Sequence, residues 1–127
     1  MHRVLRQPFL AATVLIGLAL LSGCIGSTAD CDALPSALEV TLTGTALTPP
    51  NPEVCRGADV TLNLHAEVDG IFHIHGYDAE VPATPVAAGE DVELQFTASR
   101  SGQFPMELHS DENTQGVNVG ILTVHEP

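Results

Sequence analysis

The chain of 127 residues contains no lysine and no tryptophan, and it has only four arginines against 16 acidic residues. All the acidic residues follow Cys24, and beyond that point Arg56 and Arg100 are the only strong bases. The chain after Cys24 therefore has a net charge of −14 with neutral histidines. Such a surface repels phosphate backbones and anionic lipid headgroups, so no nucleic acid is expected as a partner. Any attachment to a membrane must come from acyl chains.

The chain also has no apolar run long enough to span a bilayer. Its longest run, residues 9–21, has 13 residues, whereas a membrane-spanning helix needs about 20. Arg3 and Arg6 precede the run, as in a signal peptide, and "LSGC" at 21–24 resembles the lipobox of bacterial lipoproteins. That resemblance implies a signal peptide at 1–23 and a thioether-linked lipid on Cys24. The alternative is an ordinary signal peptide cut near that cysteine.

Cleavage before Cys24 would leave 104 residues, enough for one domain with its own core. Residues 24–37 are small and polar after the cysteine, and they are interpreted as a flexible tether leading to a domain at 38–127. The expected location is the extracytoplasmic face of a cell membrane, in the periplasm or at the cell exterior.

Cysteine is scarce: only Cys31 and Cys55 follow the lipobox. Outside the cytoplasm an even pair predicts a disulfide, which would stabilise the fold by roughly 3 kcal/mol. A role as metal ligands or as a redox pair is less favoured, because the two residues lack the C-x-x-C spacing.

Helical periodicity is absent, and alternation with period two takes its place. "LEVTLTG" (38–44), "ADVTLNLHAEV" (58–68) and "VELQFTA" (92–98) alternate apolar and polar residues, which predicts half-buried strands. "QFPMELH" (103–109) and "GVNVGILTVHEP" (116–127) supply the last strands, and "VPATPVAAGED" (81–91) is predicted as a loop. About seven short strands separated by Gly/Pro turns predict an all-β sandwich.

The stretch "FHIHGYD" (72–78) is the first candidate for a functional site. On a strand, His73 and His75 project to the same face with their Cα atoms roughly 7 Å apart, and Ile71 and Tyr77 would share that face. Imidazole pairs of this kind suit copper, zinc or nickel. The alternative is a pair of hydrogen-bonding surface groups or a pH-sensitive patch.

A further candidate histidine, His109, lies in "SGQFPMELH". Alternation along this strand puts Glu107 and His109 on one face and turns Met106 toward the core. Three segments, "PEVCRGADVTLNL" (52–64), "HGYD" (75–78) and "AAGEDVELQFTASRSGQFPMEL" (87–108), are similar to segments of the cupredoxins, the small copper-binding β-sandwiches. The resemblance covers most of residues 38–125. It implies a cupredoxin-like Greek-key β-sandwich and copper as the cofactor, with His75 matching the first histidine ligand. Tyr77 and Phe104 are then expected to be core aromatics.

The sequence departs from the blue-copper pattern at one decisive position. A type 1 site needs a cysteine at the end of the "G-x-F" strand, but Leu108 stands there and no cysteine follows Cys55. The expected ligands are therefore His73, His75 and His109. Possible further ligands are Met106, Asp78 and Glu107.

These observations predict a lipid-anchored copper-binding protein for storage, delivery or oxidase assembly. The alternative is a metal-free interaction module for a membrane protein partner. An enzyme is not expected, because serines such as Ser110 and paired carboxylates such as Asp111-Glu112 fall in predicted loops.

Overall fold

The computed structural model describes residues 29–127, which form nine β-strands. In chain order they are β1 Ala37–Leu42, β2 Leu47–Thr48, β3 Glu53–Cys55, β4 Asp59–Ala66, β5 Gly70–Ile74, β6 Thr84–Val86, β7 Glu90–Thr97, β8 Gly102–His109 and β9 Val117–His125. The predicted all-β class is confirmed. The expected number of about seven strands was lower than the number found, because β2, β3 and β6 have only two or three residues each.

The strands form two sheets. One sheet has the order β2-β1-β4-β7, and the other has the order β3-β9-β8-β5-β6. Within the first sheet β1 runs parallel to β4, and within the second β3 runs parallel to β9. Strands β5 and β8 are antiparallel neighbours in the five-stranded sheet, and they carry four of the candidate ligands: His73, Met106, Glu107 and His109.

The core follows directly from the alternation in the sequence. In β4, Val60, Leu62 and Leu64 are buried while the residues between them are half-buried or exposed. Burying one such side chain contributes about 1.5–3 kcal/mol. No polar or charged residue of the described chain is buried, so the functional groups lie on the outer faces of the sandwich and in its loops.

A disulfide joins the start of the described chain to the end of β3. Cys31 and Cys55 are bonded, with their Cα atoms 5.6 Å apart. Part of the predicted tether is thus linked to the domain, and β1 begins soon after it, at Ala37. The predicted signal peptide and the lipidation residue Cys24 lie outside the described residues. Between residues 29 and 127 no helix has the length and apolar character needed to cross a membrane.

One loop prediction was wrong. Residues 84–86, inside the segment predicted as a loop, form β6 and pair with β5 at the edge of the five-stranded sheet. Proline fits this place because an edge strand has one side free of ladder hydrogen bonds, and Pro85 is exposed there.

Candidate metal site

Strands β5 and β8 place the candidate residues opposite one another. His73 pairs with Glu107, and Ile71 pairs with His109. The residues between them, which are Phe72, Ile74, Met106 and Leu108, are buried in the core. The alternation of both strands therefore brings two histidines and one carboxylate to the outer face of the sheet.

His75 joins this group from just beyond the strand. Strand β5 ends at Ile74, and the His75 N–H donates to the carbonyl of Pro105 at 2.8 Å. The rings of His73 and His75 meet edge to face, with centroids 5.7 Å apart. Gly76 then adopts a φ of +87°, a conformation that L side chains rarely adopt.

The turn at Gly76 changes the face on which Tyr77 lies. Strand alternation predicted Tyr77 beside the histidines, and that placement was wrong, because the chain has already left the strand. Tyr77 has no exposed surface, and its hydroxyl donates to the carbonyl of Arg100 at 2.6 Å. The prediction that Tyr77 is a core aromatic is confirmed. Its ring packs edge to face on that of Phe104, which is half-buried against the core.

Three donors lie close enough to hold one ion. Ligand atoms of His73, His75 and Glu107 all lie within 4.8 Å of one another. Donors bound to one ion at about 2.1 Å are at most about 4.2 Å apart, so small side-chain rotations, chiefly of the exposed His75, would bring this set to coordination distance. Two imidazoles and a carboxylate are a donor set that suits copper or zinc.

His73 is the most restrained member of the site. Its side chain is only 15% exposed. Nδ1 lies 2.8 Å from Asp78 Oδ1, and Nε2 lies 3.2 Å from Glu107 Oε2. Each ring nitrogen thus faces a carboxylate, and rotation of the ring would break one or both contacts.

Asp78 is held from both sides. Its Oδ2 accepts the backbone N–H of Gly76 at 3.2 Å, while Oδ1 faces His73. Although partial desolvation acts to raise the pKa of Asp78, the Gly76 N–H and the neighbouring His73 outweigh it and lower the pKa below its usual value. The carboxylate therefore remains ionised beside the histidine.

His109 lies beside the three donors and outside that group. Its Nδ1–H donates to the carbonyl of Thr114 at 3.1 Å, which directs Nε2 toward Glu107 Oε2 at 3.6 Å. Its ring centroid is 5.4 Å from that of His73. Gly116 packs against the ring: a Cβ there would lie 2.7 Å from His109 Cε1. Nothing in the sequence indicated that His109 would contact Thr114 or Gly116.

The remaining candidates are placed apart from the site. Met106, considered as a possible ligand, has no exposed surface and packs in the core, so it faces away from the histidines. Leu108, which the sequence resemblance matched to the blue-copper cysteine, is also buried. His65 is on the other sheet with Nδ1 2.6 Å from Asp91, and His125 lies 2.8 Å from Glu53.

A groove of about 800 Å³ opens beside the site and includes His73 and His109 in its wall. Ile71, 44% exposed, is the large apolar residue most exposed to solvent in the described chain. The rest of the groove wall combines small or apolar, acidic and hydroxyl-bearing residues, namely Gly70, Ala83, Val86, Asp69, Asp78, Asp111, Ser110 and Thr114.

Known structures resemble this one over most of its described length. Auracyanin from the photosynthetic bacterium Roseiflexus castenholzii has a TM-score of 0.57 at 16% identity, over 72% of this chain and 98% of its own. The blue copper oxidase from Nitrosomonas europaea has a TM-score of 0.55 at 20% identity, over 71% of this chain and 38% of its own.

The fold is cupredoxin-like. A third neighbour agrees: the metal-binding domain of the Cu(I)-exporting P-type ATPase CopA from Streptococcus pneumoniae has a TM-score of 0.51 at 14% identity, over 69% of this chain and 83% of that domain. At these identities the likeness establishes the fold alone. No protein-family model and no curated protein matches the chain. The predicted cupredoxin-like sandwich is thus confirmed. Whether the protein binds a metal must be inferred from its own residues.

Proposed function

We propose that this protein is a lipid-anchored, extracytoplasmic cupredoxin-like protein that binds copper for storage, delivery or oxidase assembly. One observation carries the proposal: donors of His73, His75 and Glu107 converge within 4.8 Å on the outer face of the five-stranded sheet. The cupredoxin-like fold, shared with a blue copper oxidase and with the metal-binding domain of a Cu(I)-exporting ATPase, supports the choice of metal.

The residues of the site fit a copper ion. The imidazoles of His73 and His75 would bind the ion, and the Glu107 carboxylate would bind it and offset its charge. His109 directs Nε2 toward the same carboxylate and is the fourth candidate ligand. A copper ion bound here would supply a redox-active Lewis acid at the surface of the domain.

We further propose that the site is not a type 1 blue-copper centre. The buried Leu108 occupies the position where that centre needs a thiolate, and Cys55 is bonded to Cys31. A carrier or store needs no catalytic base or nucleophile, and the protein is proposed not to be an enzyme. The lipid on Cys24 would keep the domain close to a membrane protein that gives or receives the metal.

A metal-free interaction module is the second candidate. The exposed Ile71 in the groove favours it, because an exposed apolar side chain in an open groove suits contact with a partner. In that case the contact between His73 Nε2 and Glu107 Oε2 would link β5 to β8 on the outer face of the sheet.

Copper titration of the full chain, purified in detergent, separates the two candidates. We expect one equivalent of copper to bind with sub-micromolar affinity, and both His75→Ala and Glu107→Gln to weaken binding. His65→Ala is the matched control, since it removes an imidazole from the other sheet. Binding that is equally weak in all four proteins would exclude the copper site and favour the interaction module.

A further inference from the structure

The donors around His73 contain nitrogen and oxygen but no sulfur. Among residues 29–127, the sulfur atoms belong to Met106, which faces the core, and to the Cys31–Cys55 disulfide. Thioether and thiolate ligands favour Cu(I), whereas imidazole and carboxylate ligands suit the divalent ion. The side chains that can reach the site are therefore those that prefer the oxidised metal.

The charge of the site also favours the divalent ion. Glu107 Oε2 and Asp78 Oδ1 lie on opposite sides of the His73 ring, at 3.2 Å and 2.8 Å from its two nitrogens. The Glu107 side chain is only 26% exposed, so solvent screens its charge less than it would on an open surface. Two carboxylates balance a doubly charged ion, whereas a singly charged ion would leave one negative charge uncompensated.

Asp78 has the contacts of an orienting residue. Both of its oxygens are already in use, one by the N–H of Gly76 and one by Nδ1 of His73. When Nε2, the nitrogen on the Glu107 side, binds the ion, the ring proton is on Nδ1, and Asp78 Oδ1 lies 2.8 Å away to accept it. A carboxylate that fixes the tautomer of a histidine ligand in this way typically strengthens metal binding 10–100-fold.

We propose that this site selects Cu(II) over Cu(I), and that Asp78 is the positioning residue that prepares His73 for the divalent ion. The inference rests on the proposed copper function and extends it by naming the oxidation state of the cargo. In this proposal Asp78 orients His73 and does not bind the ion itself.

The selectivity is tested by measuring both affinities on the full chain in detergent. Nitrilotriacetate serves as the competitor for Cu(II), and bicinchoninate under anaerobic, reducing conditions serves as the competitor for Cu(I). We expect Cu(II) to bind at least about tenfold more tightly, which is equivalent to lowering the potential of the bound couple by about 59 mV. A dissociation constant for Cu(I) equal to or below that for Cu(II) would overturn the selectivity. Failure to bind either ion would refute the copper function itself.

The role of Asp78 is tested by Asp78→Asn beside Asp111→Asn. Both variants remove one negative charge from the same groove, but only Asp78 contacts His73. We expect Asp78→Asn to weaken Cu(II) binding about 10–100-fold, with a smaller loss for Cu(I), and Asp111→Asn to leave both nearly unchanged.

A long-range ¹H–¹⁵N spectrum of the metal-free protein gives the second readout for Asp78. At a pH where the His73 ring is neutral, we expect a larger share of the Nδ1-protonated tautomer in the wild type than in Asp78→Asn, because Asp78 competes with Glu107 for the ring proton. Equal losses of affinity in the two Asn variants, with the His73 tautomer unchanged, would show that Asp78 has no positioning role.

Discussion

Gly116 offers a direct test of whether His109 contributes to the site. The residue has a φ of +86°, and a Cβ there would lie 2.7 Å from His109 Cε1 and 2.9 Å from Nε2. Gly116→Ala should therefore have two effects. The left-handed backbone costs about 1–2 kcal/mol with any L side chain, and the methyl group must also push the imidazole away from Thr114 and Glu107.

Gly89 provides the matched control for that substitution. Its φ of +84° is nearly the same, but no atom lies within 4 Å of an added Cβ. Gly89→Ala should thus lower the free energy of unfolding by a similar 1–2 kcal/mol without moving a histidine. The difference in copper affinity between the two variants therefore reports the contact with His109 alone.

The assay pairs urea unfolding with copper titration of both variants and the wild type. We expect Gly116→Ala to bind copper about tenfold more weakly than Gly89→Ala, because displacement of a candidate ligand from its hydrogen bond costs affinity of that order. Equal copper affinities, at comparable loss of stability, would refute the inclusion of His109 in the site.

Three further predictions concern single side chains. Tyr77→Phe removes a hydroxyl that donates to Arg100 O and accepts from Arg100 N–H, so it should cost about 1–3 kcal/mol in urea unfolding. Met106→Leu conserves volume in the core, and we expect copper affinity to be unchanged with a stability loss below about 1.5 kcal/mol; weaker copper binding would restore Met106 as a ligand. The pKa of Asp78 is lowered from its usual value of 3.8 in the folded protein. The ionised carboxylate therefore stabilises the fold fully above pH 3.8, and this contribution is lost as the pH falls through the folded pKa. The stability advantage of the wild type over Asp78→Asn should therefore shrink below about pH 4, and an advantage that does not change with pH would contradict this.

The regular parts of the fold could be predicted from the sequence because each strand carries its own alternation. Val60, Leu62 and Leu64 mark β4, and Glu107 with His109 marks the outer face of β8. The short strand at Thr84–Val86 could not be found in this way, since three residues are too few to show a period. Its assignment depends on pairing with β5, which is a long-range contact.

The site could be predicted only in part, for a related reason. The sequence indicated the histidines, but the pairing of His73 with Glu107 depends on the register between β5 and β8, whose paired residues lie more than 30 positions apart in the chain. The face of Tyr77 was predicted wrongly because the turn at Gly76 ends the alternation. Asp78 was considered as a ligand, and its contact with His73 Nδ1 emerges only from the folded loop.

The electron paramagnetic resonance spectrum of the full chain with one equivalent of Cu(II) shows whether the ion binds at His73 and His75. We expect a spectrum without type 1 character, with nitrogen couplings from at least two imidazoles that change in both His73→Ala and His75→Ala but not in His65→Ala. No intense blue absorption should accompany it, because no thiolate reaches the site. A signal that is identical in all these variants, or that of free Cu(II), would contradict the assignment of the copper site to the outer face of β5 and β8.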